Sequence, residues 1–492
     1  MSRDHHVTTW LPDPSHYPEQ MTPLSATVWF EAMGNGLHDA TRELRAPFGG
    51  FRTRTELGWA YEAELEPDWE HDPDFFRAAA LALPDRWREE LLPRVRAITA
   101  ELESMRPERQ PPEEARTLFD RLWELVQEQW RLHFLTVIPA QAAAAVFGDA
   151  YAEAYGNGDP LAPYRILEGT PNPADTELRA LARLARDLGV DDIVSEHAAN
   201  DVHAILVQTA SGRRWLHALD DYLLRYGGRS RWHELSLPRE SEQPTLTLES
   251  IRLALATAPP PDPAVVTVPT ELSDLAERVR EAHALKELHS YEIDYPGLQA
   301  TREALRGFGR RLVAEGAFHD VDDVWMVERD ELRDALTGPL ESLEPLVTLR
   351  RDELARGRQH GPAPFLGDPP VETARHSILE DFYGRAGGGL AGTGASAGEA
   401  EGTARVVADE QDFARIEPGD VLIATTTTPA WTPLFPSLAA LVTETGGILS
   451  HAAVVAREYG LPAVVGVANA TRAVPDGARV HVDGTAGTVV IL

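Results

Sequence analysis

The stretch GRAGGGLAGTGASAGEAEG, residues 384–402, divides this chain more sharply than any other. Before it, apolar residues recur at spacings of three and four, the repeat of a helix with one buried face. After it the repeat switches to two, in short runs: TARVV, DVLIAT, AALVTE, PAVVGV, RVHVDG and GTVVIL. Gly, Ala and Ser at this density form no core and favour a flexible connector. The sequence therefore predicts a multidomain protein. A large, mainly α-helical domain over 1–383 is joined by a flexible linker, 384–398, to a small α/β domain over 399–492. A linker of this length spans roughly 20 Å as a coil and at most about 45 Å extended.

Within the first part, PEEARTLFDRLWELVQEQWRLHFLTVIPAQAAAAVF (112–147) sets Leu118, Leu122, Leu125, Val126 and Trp130 on one helical face. Pro112 and the acidic pair behind it suit a helix start. DTELRALARLARDLG (175–189) is a second amphipathic helix with Gly189 as its stop. The proline-rich APPPDPAVVTVP (258–269) reads as a stiff connector, and helices resume over 271–318. DVWMV (323–327) reads as a short strand before a helix over 328–336.

Composition removes several functions. The net charge of −32 opposes nucleic acid and anionic membrane surfaces as partners. The absence of cysteine excludes disulfides and thiol catalysis. No apolar N-terminal region marks a signal peptide, and no run of about 18 apolar residues marks a membrane span, so a cytoplasmic location is the expectation. Lys286 is the one lysine among 46 basic residues, and no GxxxxGK[ST] occurs. Schiff-base chemistry and a lysine-based phosphate loop are both unsupported.

The residues that carry chemistry cluster in TETGGILSH, 443–451. Gly446 and Gly447 allow a sharp turn and a close backbone approach. Ser450 is a helix cap, and the helix it opens should run to Tyr459, with Gly460 as its left-handed stop and Pro462 beyond. Its N-terminal N–H groups and dipole suit an anion and disfavour an imidazolium at His451, leaving a neutral, nucleophilic ring. The alternatives for His451 are a packing or capping residue and a metal ligand. No HxxxH or HExxH spacing accompanies it, and no metal is expected.

TETGGILSHAAVVAREYGLPAVVGV resembles the signature of the phosphohistidine swivelling domain of phosphoenolpyruvate (PEP)-utilising enzymes. The resemblance covers about 396–492, from AGEAEGTARVV through GDVLIATTTTPAWTPLF to VHVDGTAGTVVIL. It implies that His451 carries a phosphoryl group, that Thr445, Gly446, Gly447 and Ser450 form the loop around it, and that the domain swings between two centres. Residues 16–24, 222–244 and 301–332 resemble the helical part of the rifampicin phosphotransferase-like members. Where those commonly read Tyr-Gly-His-Arg, this chain has Tyr226-Gly227-Gly228-Arg229. By residue type, Arg229, Arg231 and Arg239 suit clamping a phosphoryl group, and His233 or Glu234 suits taking an acceptor's proton. The alternative is an exposed charged turn or an Arg–Glu ion pair.

The resemblance further implies an ATP-grasp donor module that these residues do not supply. The expectation is a phosphotransferase subunit whose donor is a stand-alone ATP-grasp protein binding ATP and Mg²⁺, and whose acceptor is a small organic molecule. The alternative is a non-catalytic phosphocarrier or regulatory subunit.

Overall fold

The structure is a computed structural model. It describes residues 9–13, 16–156, 161–167, 173–230, 232–256, 268–337, 342–369, 390–408, 410–427, 429–448 and 450–492. The chain forms two compact units, Met1–Ala143 with Trp232–Leu237 and Glu281–Thr373, and Ala144–Arg231 with Pro238–Arg280 and Ala374–Leu492. The division departs from the expected border at 384–398, because residues 144–231 and 238–280 group with the C-terminal strands. Composition marks where the secondary structure changes, whereas compactness follows side-chain packing.

The first unit combines helices with an antiparallel sheet that helical periodicity concealed. Strands β1 (Thr9–Pro12), β2 (Phe51–Glu56), β3 (Trp59–Glu64) and β4 (Leu366–Gly367) pair in the order β2-β3-β1-β4. The helical run Pro23–Ser25, Ala26–Phe30 and Glu31–Glu43 buries Leu24, Val28, Trp29, Phe30 and Leu37. The segment expected as a strand at 323–327 is instead a 3₁₀ turn, Val321–Met326, leading into the helix Arg329–Ala335. Asp320 and Asp323 form a capping box there, and buried Asp323 accepts from the N–H groups of His319 and Asp320 and from Arg351. Two caps made from local carboxylates outweigh the β preference of Val and Trp.

The helix Pro112–Tyr155 starts at the expected proline and continues past the expected end at 147. Among the described residues it is the one helix long and apolar enough to cross a membrane, by length and composition. Two-thirds of that apolar window is buried against the rest of the protein, which accounts for its character as a core helix.

The second unit holds a seven-stranded sheet in the order β11-β10-β6-β7-β8-β9-β5. Its strands are β5 (Thr393–Ser396), β6 (Glu399–Val407), β7 (Val421–Ala424), β8 (Ala440–Thr443), β9 (Ala463–Val465), β10 (Arg479–Asp483) and β11 (Thr488–Ile491). Strands β6 to β9 are parallel, and β5, β10 and β11 add antiparallel edges. Side-chain alternation splits the core by face. Leu422, Ala424, Leu441, Ala463 and Val465 join one cluster, while Val421, Ile423, Val442 and Val464 join the other.

Six of the seven strands are those expected from the period-two runs. The seventh lies in the segment read as a linker. Residues 384–389 lie outside the described residues, but Ala391 bridges Thr488, and β5 pairs with β9. The expected flexible stretch is thus ordered from about 390. Leu246, from the helix Thr245–Ala256, packs in the same core cluster as Trp431, Phe435 and Ala452, which ties that helix to the sheet's first face.

Candidate active site

β8 ends at Thr443, and the chain turns into the helix His451–Glu458 before returning as β9. The turn therefore lies at the carboxyl end of a parallel strand, where open α/β sheets bind ligands. Thr445 donates both its N–H (3.0 Å) and its hydroxyl (2.9 Å) to the Thr425 carbonyl, pinning the turn to the end of β7. The Thr443 hydroxyl donates to the Thr445 carbonyl at 2.8 Å. Gly446 has φ +100°, and a Cβ there would lie 2.8 Å from the Cβ and Oγ of Ser450. Two constraints thus demand glycine: a left-handed backbone and the folding of the loop onto the cap. The Gly447 carbonyl accepts the Ser450 N–H at 3.0 Å, closing the loop.

Ser450 has extended backbone angles (φ −64°, ψ 159°), and its Oγ accepts from the Ala453 N–H at 3.3 Å. His451 is the first helical residue, half-buried, with the Phe435 ring centroid 6.5 Å away. The helix closes as expected at Gly460, φ +60°, whose N–H donates to the Arg457 carbonyl.

Arg457 is a participant that no local pattern singles out. Its buried guanidinium donates to the carbonyls of Ile448, in the loop, and Ala395, in β5, at 2.8 and 2.9 Å. It also lies over the Tyr164 ring, 5.4 Å from the centroid. Six residues along its own helix from the histidine, it holds the loop in shape from behind. At the far end of the helix, the Tyr459 hydroxyl donates to Asp175 at 2.7 Å, and Arg179 donates to the same Asp175 oxygen at 2.9 Å. Burial, with the charge of Asp175, pushes the Tyr459 hydroxyl far above the usual tyrosine range, so it remains a donor.

Gly446→Ala isolates the backbone requirement. A left-handed alanine and a contact under 3 Å cost roughly 1–3 kcal/mol locally. The rest of the sheet keeps its core, so thermal unfolding shifts modestly while any phosphoryl loading of His451 falls several-fold. Loading at the wild-type rate would show that the loop geometry is dispensable.

The residues expected from 229–239 are divided between the two units. Arg229 and Arg239 belong to the second unit, His233 and Glu234 to the first, and Arg231 lies outside the described residues. Arg229 is buried and donates to the Thr247 hydroxyl at 3.3 Å, which in turn donates to Glu240. Arg239 is 1% exposed. The reading of this stretch as an exposed charged turn fails for both, since each is enclosed. Glu234 is likewise buried and accepts from the hydroxyls of Thr22 (2.7 Å) and Ser25 (2.6 Å) and from the Ser236 N–H (3.1 Å). Burial pushes its carboxyl above the ordinary glutamate value, against the pull of those donors. His233 is half-buried, 6.4 Å from the Trp130 ring.

A further group was missed in the sequence. His133, from the long helix, and His289 and Asp294 converge in the first unit. His133 Nδ1 is 2.7 Å from one Asp294 oxygen and His289 Nε2 is 3.2 Å from the other. Burial works against the charge on Asp294, but the two imidazoles hold its carboxyl well below the usual carboxylate range. Their separations along the chain, 156 and five residues, match no ligand-spacing pattern, so no local motif marks them.

Comparison with known proteins accords with this geometry. The family model of the PEP-utilising enzyme mobile domain matches residues 416–487, which include the turn and the His451 helix. The model of the rifampicin phosphotransferase fourth domain matches residues 132–266. Chondramide synthase cmdD of Chondromyces crocatus is 32% identical over 98% of this chain, which covers 14% of that protein. The uncharacterized phosphotransferase YvkC of Bacillus subtilis is 28% identical over 77% of this chain and 49% of its own length. A rifampicin phosphotransferase of Streptomyces sviceus is 31% identical over 66% of this chain and 42% of its own. The chain thus spans less than half of each of these relatives. The chain thus carries a PEP-utilising enzyme mobile domain around His451 and, in the helices before it, a stretch similar to the rifampicin phosphotransferase fourth domain.

Proposed function

We propose that this chain is the carrier and acceptor part of a phosphotransferase. A ring nitrogen of His451 attacks the terminal phosphorus of a nucleotide; the P–N bond forms and the P–O bond to the diphosphate leaving group breaks. An acceptor hydroxyl then attacks the same phosphorus, the P–N bond breaks, and the hydroxyl proton passes to a base. The observation that carries this reading is the place of His451. It is the first residue of a capped helix, behind a loop that only glycine at 446 allows, at the carboxyl end of a parallel strand. Helix N–H groups and dipole there favour the charge of a phosphorylated ring.

The donor module lies outside these 492 residues, and we assign it to an ATP-grasp protein holding ATP and Mg²⁺. The residues of this chain do not fit a lysine-based nucleotide site. Lys286, its one lysine, is buried in a helix, and no phosphate-binding loop ends in a lysine. The acceptor is a small organic hydroxyl compound held in the helical part.

A second reading draws support from Glu234. Its carboxylate is engaged by three neighbouring residues, which leaves His233 as the base candidate of the 229–239 segment. In that reading the chain only carries the phosphoryl group and another protein consumes it. Incubation with γ-labelled ATP, Mg²⁺ and an ATP-grasp protein encoded beside this chain separates the two. Acid-labile label appears on this chain in both. Chasing it to small hydroxyl compounds supports acceptor catalysis, and label that leaves only to another protein supports the carrier. No label at all removes both readings.

A further inference from the structure

We propose that His133, His289 and Asp294 form a binding site for a divalent transition-metal ion of the zinc class, separate from the phosphoryl carrier and independent of the phosphotransfer reading. One ligand atom from each of the three lies within 4.8 Å of the others. The two imidazole nitrogens are 2.7 and 3.2 Å from the carboxylate oxygens. Ligands bound at about 2.0–2.2 Å to one ion are separated by roughly 3.0–3.5 Å, so small adjustments of these side chains admit an ion.

The backbone is built to make this convergence. Five residues of α-helix advance roughly 500°, which would leave His289 and Asp294 about 140° apart. Between them the chain forms a π-helical turn, Ser290–Asp294, closed by the Tyr295 N–H on the Ser290 carbonyl. An i→i+5 turn returns in five residues and brings the two side chains to one face. Such turns are costly in regular helices and cluster at functional sites. His133 comes from a separate, long helix, so the three ligands rest on rigid elements.

The surroundings match those of metal ligands. His289 Nδ1 lies 3.1 Å from the Leu285 carbonyl, which orients the ring with Nε2 toward Asp294. Ser290 donates its hydroxyl to Asp294 at 3.2 Å. Gln129 lies one turn before His133, on the same helical face. Its amide donates to the Ile293 carbonyl, which sets its orientation, and its Oε1 is buried with no hydrogen-bond partner among the described residues. A water on the ion would supply the missing donor. A bound ion would offset the charge of the buried Asp294 carboxylate. Two imidazoles and one carboxylate suit Zn²⁺ with an open fourth position.

The test is direct titration of the full chain, freed of metal by a chelator, with Zn²⁺ by calorimetry and with Co²⁺ by visible absorption. We expect one tight site per chain and ligand-field bands of a low-symmetry Co²⁺ complex. His133→Ala, His289→Ala and Asp294→Asn should each weaken binding by at least about 100-fold and abolish the bands. A variant lacking His5 and His6 should retain both, since that pair near the N-terminus is the obvious competing ligand set. Circular dichroism checks that each variant folds. If wild type binds no more tightly than folded Asp294→Asn, the proposal is overturned. The three residues are then a hydrogen-bonded network, as equal loss of thermal stability with and without Zn²⁺ would show.

Discussion

Replacing His451 with alanine removes all acid-labile phosphoryl incorporation, with no residual label above background. The imidazole sits at the helix's positive end, and alanine offers the phosphorus no nitrogen with which to form an acid-labile P–N bond. The substitution is structurally mild. Ala has the highest helix propensity, Ser450 still caps the Ala453 N–H, and the core face of the helix, Ala452, Ala453, Val455 and Ala456, is untouched. The variant therefore melts within about 1 kcal/mol of wild type, which separates loss of chemistry from loss of fold. Ser450→Ala is the graded companion. It loses a cap contributing about 1 kcal/mol and should load several-fold more slowly without falling to zero. Equal label on wild type and His451→Ala would place the phosphoryl group elsewhere and end the carrier reading.

His451 was legible because everything that defines it lies within nine residues: glycines, cap, histidine and an apolar helix between two strands. The sheet around it was legible for a related reason. Strands buried on both faces appear as apolar runs, and β7, β8 and β9 are buried throughout. β5 was not, because Thr-Gly-Ala-Ser carries no large apolar side chain; its place is set by pairing with β9 some 70 residues later. β1 and β4 were hidden by distance, since Trp10 pairs with Leu366 and the strand itself ends in proline. The same limit applies to side chains. Local patterns cannot say that His133 meets Asp294, or that Glu234 meets Thr22 from 212 residues away. What a spacing rule reads as a charged turn, tertiary structure uses as a cap.

Glu234→Ala should destabilise the first unit by roughly 3–5 kcal/mol. Thr22 precedes the helical run that begins at Pro23, yet its own side chain caps nothing. Glu234 takes over that end of the helix from a distant segment, accepting from the Thr22 and Ser25 hydroxyls and placing a carboxylate at the positive pole. Removing it leaves the buried Ser25 hydroxyl and the part-buried Ser236 N–H without this acceptor, at about 1–3 kcal/mol each before relaxation, while the Thr22 hydroxyl keeps only the Ser25 oxygen at 2.9 Å. Glu234→Gln keeps one acceptor oxygen but turns an amide donor toward the others, so about 1–2 kcal/mol is lost. Trp29 and Trp232, both buried in this unit, report its unfolding in urea by fluorescence. The pH dependence carries a definite sign. Burial raises the folded value of Glu234 above the ordinary 4.5, so the native state holds its proton more tightly than the unfolded chain. The stabilisation from that proton is complete below about pH 4.5 and is lost as pH rises through the folded value. Gln cannot titrate. The advantage of wild type over Glu234→Gln should therefore be greatest at acid pH and narrow toward neutrality. An advantage that widens instead would mean that the three hydrogen-bonding residues hold the carboxylate charged despite its burial. A stable Glu234→Ala protein that still carries label but transfers none to an acceptor would return this residue to the chemistry of transfer.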